Sequence, residues 1–220
     1  MARHSFNVTP AQAIRIQQQL CNKVITRGNA QGIRYAAGVD VSFREGAAIA
    51  AVAVLRLSDL QLFEHAVASR PIEFPYIPGL LSFREIPVIL DALHKISRSP
   101  DIIICDGQGI AHPRRLGIAS HLGVLTGLRT IGAAKSRLTG THADAPVCKC
   151  EWVPLLDKTE TIGAVLCTRN GVKPLYISIG HQIDLESAID VIMQCISRYR
   201  LPETTRCAHR LAGDAKISAY

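Results

Sequence analysis

Three acidic side chains occupy positions where the surrounding pattern favours apolar residues. Asp40 lies inside a strand-like run, Asp106 closes the apolar run DIIIC, and Glu85 borders the apolar face of a predicted helix. Charged residues are depleted from such places unless they are paired or bind a metal. Clustered carboxylates repel one another unless a cation joins them, and oxygen-only ligands select hard cations. The acids therefore predict a site for Mg²⁺, with Mn²⁺ as a substitute, that activates water for phosphodiester hydrolysis.

Each acid also has an alternative interpretation that involves no chemistry. Simple strand alternation would turn Asp40 outward to solvent. Asp106 could hold a glycine-rich turn by bonding to its own backbone. The segment Ser82-Phe83-Arg84-Glu85 fits the S-x-x-E capping box, so Glu85 could bond back to the start of its helix. The acids form a site only if the fold brings them together.

The order of the predicted elements could bring the acids together. Thr9 is a suitable cap for a first helix, and Pro10 suits its first turn. Three strands with hairpin-sized links follow, and helices then alternate with strands. Predicted strands span 35–43, 47–57, 60–68, 101–105, 130–134, 151–156, 161–168 and 174–179, and predicted helices span 9–26, 86–96, 116–128 and 185–199.

This order predicts one α/β domain over residues 1–220, with a mixed sheet flanked by helices. If the first and fourth strands are neighbours, Asp40 and Asp106 lie side by side, and Glu85 reaches them from the first crossover helix. Ligands bind at the carboxyl ends of strands in open α/β sheets. Lys135 directly follows another strand and could place a cation near a phosphate, although a lone lysine is by default only solvated.

A basic cluster follows the glycine-rich turn. His112-Pro113-Arg114-Arg115 precedes a predicted helix, where phosphate binding is favourable. The alternative is a solvated loop. The whole chain carries 25 Lys and Arg against 18 Asp and Glu, a net charge of +7 that suits a polyanionic partner such as nucleic acid.

Composition excludes several classes of protein. With 48% hydrophobic residues and a mean hydropathy of +0.17, the 220-residue chain can form a sizeable core. The longest uncharged apolar run, 46–55, is too short to span a bilayer, and no signal peptide is visible. Seven cysteines without framework spacing predict reduced thiols and a cytoplasmic location. Cys148 and Cys150 beside His142 are expected to be reduced, partly buried thiols rather than zinc ligands, because four ligands at a structural zinc spacing are not present.

The motifs GVDVSF, PYIPGLLSFRE, DGQGIAHPRRLGIASHLG, IGAAKSRL and ISIGH occur in that order. This series resembles that of the endonuclease V family, the deoxyinosine-specific repair nucleases with a ribonuclease H-like fold. The motifs extend from Asp40 to His181, about two thirds of the chain. Two of them are long and unusual, so a chance match is improbable.

The resemblance implies a role for each matching residue. Asp40 and Asp106 match the metal-ligand aspartates of the family, and Glu85 matches its third catalytic carboxylate. Lys135 and His112 match positions near the cleaved strand. His181 matches a motif histidine that could lie near the metal.

The resemblance also implies a lesion-binding region. Tyr76, between Pro75 and Pro78, matches the wedge that enters the duplex at the lesion; without the resemblance, a rigid loop with a packed tyrosine would be the preferred interpretation. An inserted ring offsets the stacking that is lost when a base swings out, and hypoxanthine swings out readily because it pairs weakly. Gly107 and Gly109 would let backbone amides approach the base. Arg115 of the basic cluster is also expected to contact DNA. Gln108 is expected to act mainly through its backbone atoms rather than its side chain.

The resemblance therefore implies a Mg²⁺-dependent enzyme that cuts the second phosphodiester bond 3′ to deoxyinosine in DNA and leaves 3′-hydroxyl and 5′-phosphate ends. One alternative is a ribonuclease that cuts inosine-containing RNA with the same site, because contacts to the 2′-hydroxyl are not readable from sequence. Another is a nucleic-acid-binding module without catalysis. A monomer is the default expectation.

Overall fold

Eight strands form one mixed sheet in the structure, a computed structural model that describes residues 4–215. We number them in chain order. They are β1 (Tyr35–Arg44), β2 (Ala47–Arg56), β3 (Leu62–Pro71), β4 (Ile102–Cys105), β5 (Arg129–Ala134), β6 (Trp152–Asp157), β7 (Glu160–Leu166) and β8 (Leu175–His181).

The strands lie in the order β3-β2-β1-β4-β5-β8-β7-β6. β1, β2 and β3 are antiparallel, β4 pairs with β1 and with β5 in parallel, and β8, β7 and β6 continue the sheet in antiparallel fashion. The register places Val39 of β1 opposite Cys105 of β4. Asp40 and Asp106 are the next residues along these two strands, so the predicted neighbourhood of the first and fourth strands is confirmed.

Five α-helices cover the sheet, and none within residues 4–215 is long and apolar enough to cross a bilayer. α2 and α3 pack on one face, whereas α4 and α5 pack on the other. α1 packs on α3 and continues into a short 3-10 turn, Cys21–Lys23. The helices are α1 (Pro10–Leu20), α2 (Leu81–Leu93), α3 (Ile118–Thr126), α4 (Leu185–Gln194) and α5 (Glu203–Asp214).

β4 lies at the centre of the sheet and is buried on both faces. Ile102 and Ile104 pack toward α4, and Ile103 and Cys105 pack toward α2 and α3. A strand that is buried on both faces reads as a continuous apolar run rather than an alternating one. The apolar run before Asp106 therefore reflects the position that places this carboxylate at the centre of the molecule.

Two helix predictions need correction. The first helix is capped by Thr9 as predicted, but its α-helical part ends at Leu20 rather than continuing to residue 26. The last predicted helix ends at Gln194 instead of 199, and a further helix, α5, follows Pro202. The residue before a proline is disfavoured in the helical conformation, so Leu201 stays outside α5, which begins at Glu203.

α5 was missed because its buried face consists mostly of small residues, with Ala208 and Ala212 at helical spacing. Small residues allow the helix to lie close to the sheet. A Cβ atom added to Gly38 of β1 would lie 2.1 Å from the backbone carbon of Thr204 in α5. The first turn of α5 thus packs directly on the backbone of the strand that carries Asp40.

Candidate active site

The three predicted carboxylates meet in one small cavity. Asp40 from β1, Glu85 from α2 and Asp106 at the end of β4 line a space of about 40 Å³, which we call the carboxylate cavity. The alternatives in which each acid acts alone do not account for this convergence. In particular, the capping-box interpretation is wrong. The N-cap of α2 is Leu80 without a side-chain cap bond, and the Ser82 hydroxyl bonds to His121.

Asp40 is partly buried at the edge of the cavity and contacts a residue that the sequence did not reveal. Its Oδ2 lies 3.0 Å from Nδ1 of His209 on α5. Burial raises the pKa of Asp40, the nearby Asp106 raises it further, and the contact with His209 opposes both effects. His209 itself is largely exposed. A cationic or hydrogen-bonding partner is therefore within reach of this carboxylate from the solvent side.

Asp106 has a cationic partner of its own. Its Oδ2 accepts a hydrogen bond from Nζ of Lys135, which directly follows β5. Because β4 and β5 are parallel neighbours, the residues that follow them leave the sheet at the same edge. The structure thus brings together all four predicted catalytic residues, and Lys135 forms an ion pair with one of the acids.

Glu85 is the most strongly perturbed acid of the set. Burial raises its pKa to about 8, with further contributions from the negative charges of Asp40 and Asp106. A carboxyl group in this environment favours its protonated form until a positive charge is added. The cavity therefore favours a bound cation electrostatically.

The donors of the cavity suit a hard divalent cation. All three side chains offer carboxylate oxygens, the ligands that Mg²⁺ and Mn²⁺ prefer. Among residues 4–215, no three His, Cys, Asp or Glu side chains are already arranged as a closed metal-binding group. Binding a metal would therefore require Asp40 and Asp106 to exchange contacts with His209 and Lys135 for contacts with the ion.

A larger cavity of about 370 Å³ adjoins the carboxylate cavity, and Asp106 lines both. We call it the loop cavity, because the PYIPG loop, residues 75–79, forms one wall and the glycine-rich turn forms another. Tyr76 stands at its rim with 68% of its surface exposed. A large opening beside a set of carboxylates can hold a substrate group next to the reacting bond. Further lining residues include Pro78, Gly107, Gln108, His112 and Lys135.

The PYIPG loop is held by three hydrogen bonds to a single carbonyl. The Gly79 oxygen accepts from Nε2 of Gln17 at 3.0 Å, Nε2 of His112 at 3.0 Å and an Nη of Arg114 at 2.7 Å. Gln17 also accepts a bond from Nε of Arg114 and donates to the Leu116 carbonyl. We call these residues the Gly79 anchor. It fixes the base of the loop from which Tyr76 projects.

His112 belongs to this anchor and is buried. Its Nδ1 accepts a bond from the Arg114 amide, so Nε2 carries the proton that bonds Gly79. Burial, followed by the charge of Arg114, lowers the pKa of His112 to about 4. His112 therefore lines the loop cavity as a neutral side chain that positions the loop.

The predicted reason for the two glycines needs correction. The Gly107 amide donates to the Cys105 carbonyl, and the Gly109 amide donates to Ser178 Oγ at 2.8 Å. Both amides are occupied within the protein, so they are not free for a base. A Cβ atom at Gly109 would lie 2.0 Å from the Ile179 oxygen. Close packing against β8 therefore requires this glycine, whereas Gly107 does line the loop cavity.

Arg115 does not face the loop cavity. Its guanidinium bonds Asp157 and Glu160, both at 2.7 Å, in the β6–β7 hairpin. These two carboxylates neutralise the charge that was expected to contact phosphate. Arg115 instead ties the basic cluster to the distant hairpin.

His181 lies away from the carboxylates. It ends β8, which is antiparallel to β5, and it pairs with Thr130 near the start of β5. Lys135 lies beyond the other end of β5, five residues or about 17 Å from Thr130 at ~3.3 Å per residue. The Nδ1 atom of His181 accepts a bond from the Ile25 amide, and burial lowers the pKa of this side chain. Its predicted position near the metal is wrong, because the motif does not reveal strand direction.

All seven cysteines are unpaired, in agreement with the sequence prediction. Cys148 and Cys150 are exposed, so the prediction that they are partly buried is wrong. His142 bonds the Ala143 carbonyl and contacts Tyr176. None of these three side chains lines the carboxylate cavity.

Comparisons with known proteins identify the family of the chain. A sequence model of the endonuclease V family matches residues 18–210. The endonuclease V of Trichormus variabilis is 56% identical over 214 residues, which cover 96% of this chain and 97% of the relative. The solved structure of endonuclease V from Streptomyces avermitilis has a TM-score of 0.89 and 42% identity, and covers 94% of this chain and 92% of that one.

A third similar structure contains nucleic acid. Endonuclease V from Ciona intestinalis, solved with a 24mer DNA that contains an inosine followed by a ribo-adenosine, has a TM-score of 0.81 and 26% identity. The match covers 92% of this chain and 95% of that one. The mixed sheet is thus the ribonuclease H-like fold that the motifs predicted. Because the family model and the close relatives extend over nearly the whole length, the chain belongs to the endonuclease V family.

Proposed function

We propose that this protein is a metal-dependent endonuclease that recognises deoxyinosine in DNA and hydrolyses the second phosphodiester bond on its 3′ side. The products are a 3′-hydroxyl and a 5′-phosphate. The observation that carries the proposal is the convergence of Asp40, Glu85 and Asp106 in one cavity next to Lys135. A module that only binds nucleic acid would gain nothing from three carboxylates here, since they repel phosphate.

Asp40 and Asp106 would hold Mg²⁺, or Mn²⁺ in its place, and Glu85 would complete the donor set. When bound, the metal supplies an activated water and charge stabilisation at the phosphate. Lys135 is the residue that can turn from Asp106 to the phosphate, because its ammonium is partly exposed at the mouth of the cavity. Before the metal binds, His209 holds Asp40 in orientation through the bond to Oδ2.

The loop cavity would receive the lesion base. Tyr76 projects from a loop stiffened by prolines and by the Gly79 anchor, so inserting its ring into the duplex requires little further ordering. The ring would fill the space of the extruded base and offset the lost stacking. The shared lining residue, Asp106, would then lie between the lesion and the reacting phosphate.

The relatives support this assignment, since the similar Ciona protein was solved with inosine-containing DNA. In that DNA, a ribonucleotide follows the inosine. This observation favours a second candidate function, cleavage of inosine-containing RNA at the same site, because the groups that meet the 3′ neighbour could tolerate or require a 2′-hydroxyl.

The test is cleavage of matched oligonucleotides that contain one deoxyinosine, one inosine in RNA, or neither, with Mg²⁺ and with chelator. We expect a metal-dependent nick in the deoxyinosine DNA at the second bond 3′ to the lesion. Cleavage of RNA alone would assign the site to the second candidate. Binding without cleavage under any metal would contradict an enzymatic function.

We propose that a single chain forms the complete site, because β1, α2, β4 and α5 of one chain supply both carboxylate cavity and partners. Light scattering during size-exclusion chromatography should therefore give the mass of a monomer, and cleavage rates should be proportional to enzyme concentration. A cytoplasmic location stays a prediction from the cysteine pattern.

A further inference from the structure

The wall of the loop cavity contains an unpaired hydrogen-bond acceptor. Gln108 lines the cavity between the two glycines of the turn and is only 8% exposed. Its Oε1 is one of two buried side-chain polar atoms without a hydrogen-bond partner in residues 4–215, together with Thr204 Oγ1. A buried acceptor without a donor is energetically unfavourable, so its retention calls for an explanation.

The orientation of this amide is determined by its other end. The Nε2 atom donates to the Ser136 carbonyl at 2.9 Å, an acceptor that only the NH₂ group can use. The Gln108 backbone is held as well, because its carbonyl accepts from the Ala119 amide. With backbone and Nε2 fixed, Oε1 is the part of the side chain that is free for a ligand.

We infer that Gln108 Oε1 reads the lesion by accepting a hydrogen bond from the ring N1–H of hypoxanthine in the loop cavity. This inference rests on the proposed function and deepens it by naming a residue that determines specificity. The terminal torsion of glutamine is soft, so a small turn that keeps the Nε2–Ser136 bond can direct Oε1 toward a base in the cavity.

The chemistry of the two bases explains why one acceptor suffices to separate the lesion from its parent. Hypoxanthine carries a hydrogen on N1, whereas adenine presents a lone pair at the same position. Adenine in the cavity would place this lone pair against the lone pairs of Oε1 and leave the buried acceptor unpaired. A site built around a hydrogen bond rejects an analogue that lacks the donor more strongly than an apolar pocket does.

The test is a double-mutant cycle between protein and substrate. Gln108→Met removes the amide while keeping the length of the side chain. Deoxynebularine replaces deoxyinosine, because it presents a lone pair at N1 and lacks the 6-oxygen. Single-turnover cleavage with Mg²⁺ and duplex affinity in chelator are measured for all four combinations. Gln18→Met, on the exposed face of α1, is the matched control.

For deoxyinosine, we expect Gln108→Met to lower kcat/KM and affinity by roughly 10- to 100-fold. For deoxynebularine, the same substitution should change both by less than about twofold. The preference of the wild-type protein for deoxyinosine should therefore shrink in the variant, and only the part due to the 6-oxygen should remain. An equal loss on both substrates, or no loss on deoxyinosine, would overturn the inference.

The wild-type arm separates this inference from the proposed function. Absence of metal-dependent cleavage of deoxyinosine DNA would overturn the proposed function, while the affinity cycle would still test Gln108. If the wild-type protein cleaves deoxyinosine DNA normally but Gln108→Met has the same effect on both substrates, only the role of Gln108 would be overturned. If Gln108→Met lowers the melting temperature, the wild-type preference between the two substrates still shows whether N1–H and the 6-oxygen are read at all, and a zero preference refutes the inference.

Discussion

The carboxylate cavity and the Gly79 anchor adjoin the same loop cavity but differ in how their polar groups are satisfied. In the carboxylate cavity, Asp40 and Glu85 have raised pKa values because burial and like charges disfavour their ionised forms. In the anchor, donors from Gln17, His112 and Arg114 converge on one neutral carbonyl. The carboxylate cavity keeps acidic groups that repel one another, whereas the polar groups of the Gly79 anchor are hydrogen-bonded to one another.

This difference indicates two separate tasks: the carboxylate cavity binds the metal ion, and the Gly79 anchor fixes the conformation of the PYIPG loop. Buried carboxylates that repel one another gain most from a bound cation. Their repulsion therefore lowers the stability of the metal-free protein and is relieved only in the metal-bound, active complex. The hydrogen bonds of the anchor end on a neutral carbonyl, so they depend little on the ion and keep the loop in place before substrate arrives. Variants in the two regions should therefore have different effects on activity and on stability.

The largest effect is expected for the aspartates. Asp40→Ala or Asp106→Ala should lower single-turnover cleavage of deoxyinosine DNA by about 10³-fold or more, because several kcal/mol of charge stabilisation are lost with the metal. The melting temperature in chelator should stay within a few degrees of wild type. Asp144→Ala, at an exposed position, is the control. Retained activity in either aspartate variant would refute the metal site.

Glu85 gives a sharper test of the comparison, because replacing it should inactivate the enzyme and at the same time stabilise the metal-free protein. Its pKa is raised from 4.5 to about 8, so its contribution to stability is present below pH 4.5 and is lost as pH rises through about 8. In chelator at pH 8.5, Glu85→Gln should raise the free energy of unfolding by about 2 kcal/mol, a value reduced for partial exposure. Urea unfolding measures this, with the exposed Glu45→Gln as control; a destabilised variant would contradict the strained cavity.

The anchor should respond in the opposite way. Gln17→Met removes bonds to Gly79, Leu116 and Arg114. The Gly79 carbonyl keeps its bonds from His112 and Arg114, whereas the Leu116 carbonyl and Nε of Arg114 lose the bonds that Gln17 made to them. We expect a loss of about 2 kcal/mol in the free energy of unfolding, with metal affinity unchanged. Calorimetric titration with Mn²⁺ and urea unfolding measure the two quantities, and exposed Gln18→Met is the control. A loss of metal affinity would show that the two regions are not separate.

The carboxylate cavity was more predictable from sequence than the anchor. Asp40 and Asp106 follow apolar runs whose pattern and order define neighbouring strands. The bonds that Gln17 donates in the anchor join residues 62 and 99 positions apart in the chain, and no local pattern relates Gln17 to Gly79 or Leu116. Local periodicity identifies elements, whereas contacts between loops depend on how those elements pack.

The errors have equally specific causes. His209 was missed because α5 buries mostly small residues, which give a weak apolar period. His181 was misplaced because β8 runs antiparallel to β5 and carries its last residue to the opposite end of the sheet. Arg115 was expected at phosphate, but its partners Asp157 and Glu160 come from a hairpin more than forty residues away. A motif identifies residue types. The roles of those residues also depend on strand direction and on charged partners that lie far away in the sequence.

Tyr76 tests whether the anchor serves lesion recognition. Tyr76→Ala should lower the preference for deoxyinosine over undamaged duplex by roughly tenfold, because one aromatic stacking contact is lost. Affinity for undamaged duplex should change little, and Tyr76→Phe should retain the preference, since it keeps the ring. Fluorescence anisotropy with both duplexes measures this. Equal losses on both duplexes would refute the wedge and leave Tyr76 a general contact.

The smallest effect concerns acidification of the anchor. The pKa of His112 is lowered from 6.5 to about 4, so its contribution to stability is fully present above pH 6.5 and is lost as pH falls through about 4. Between pH 7.5 and 5.5, this group should account for about 1 kcal/mol of lost stability. Urea unfolding of wild type and His112→Gln at both pH values isolates the difference, and exposed His65→Gln is the control. The pH dependence of His112→Gln should be shallower by that amount, because its side chain does not titrate. An unchanged dependence would mean that His112 takes up a proton in place, and the anchor would then share the electrostatic sensitivity of the carboxylate cavity.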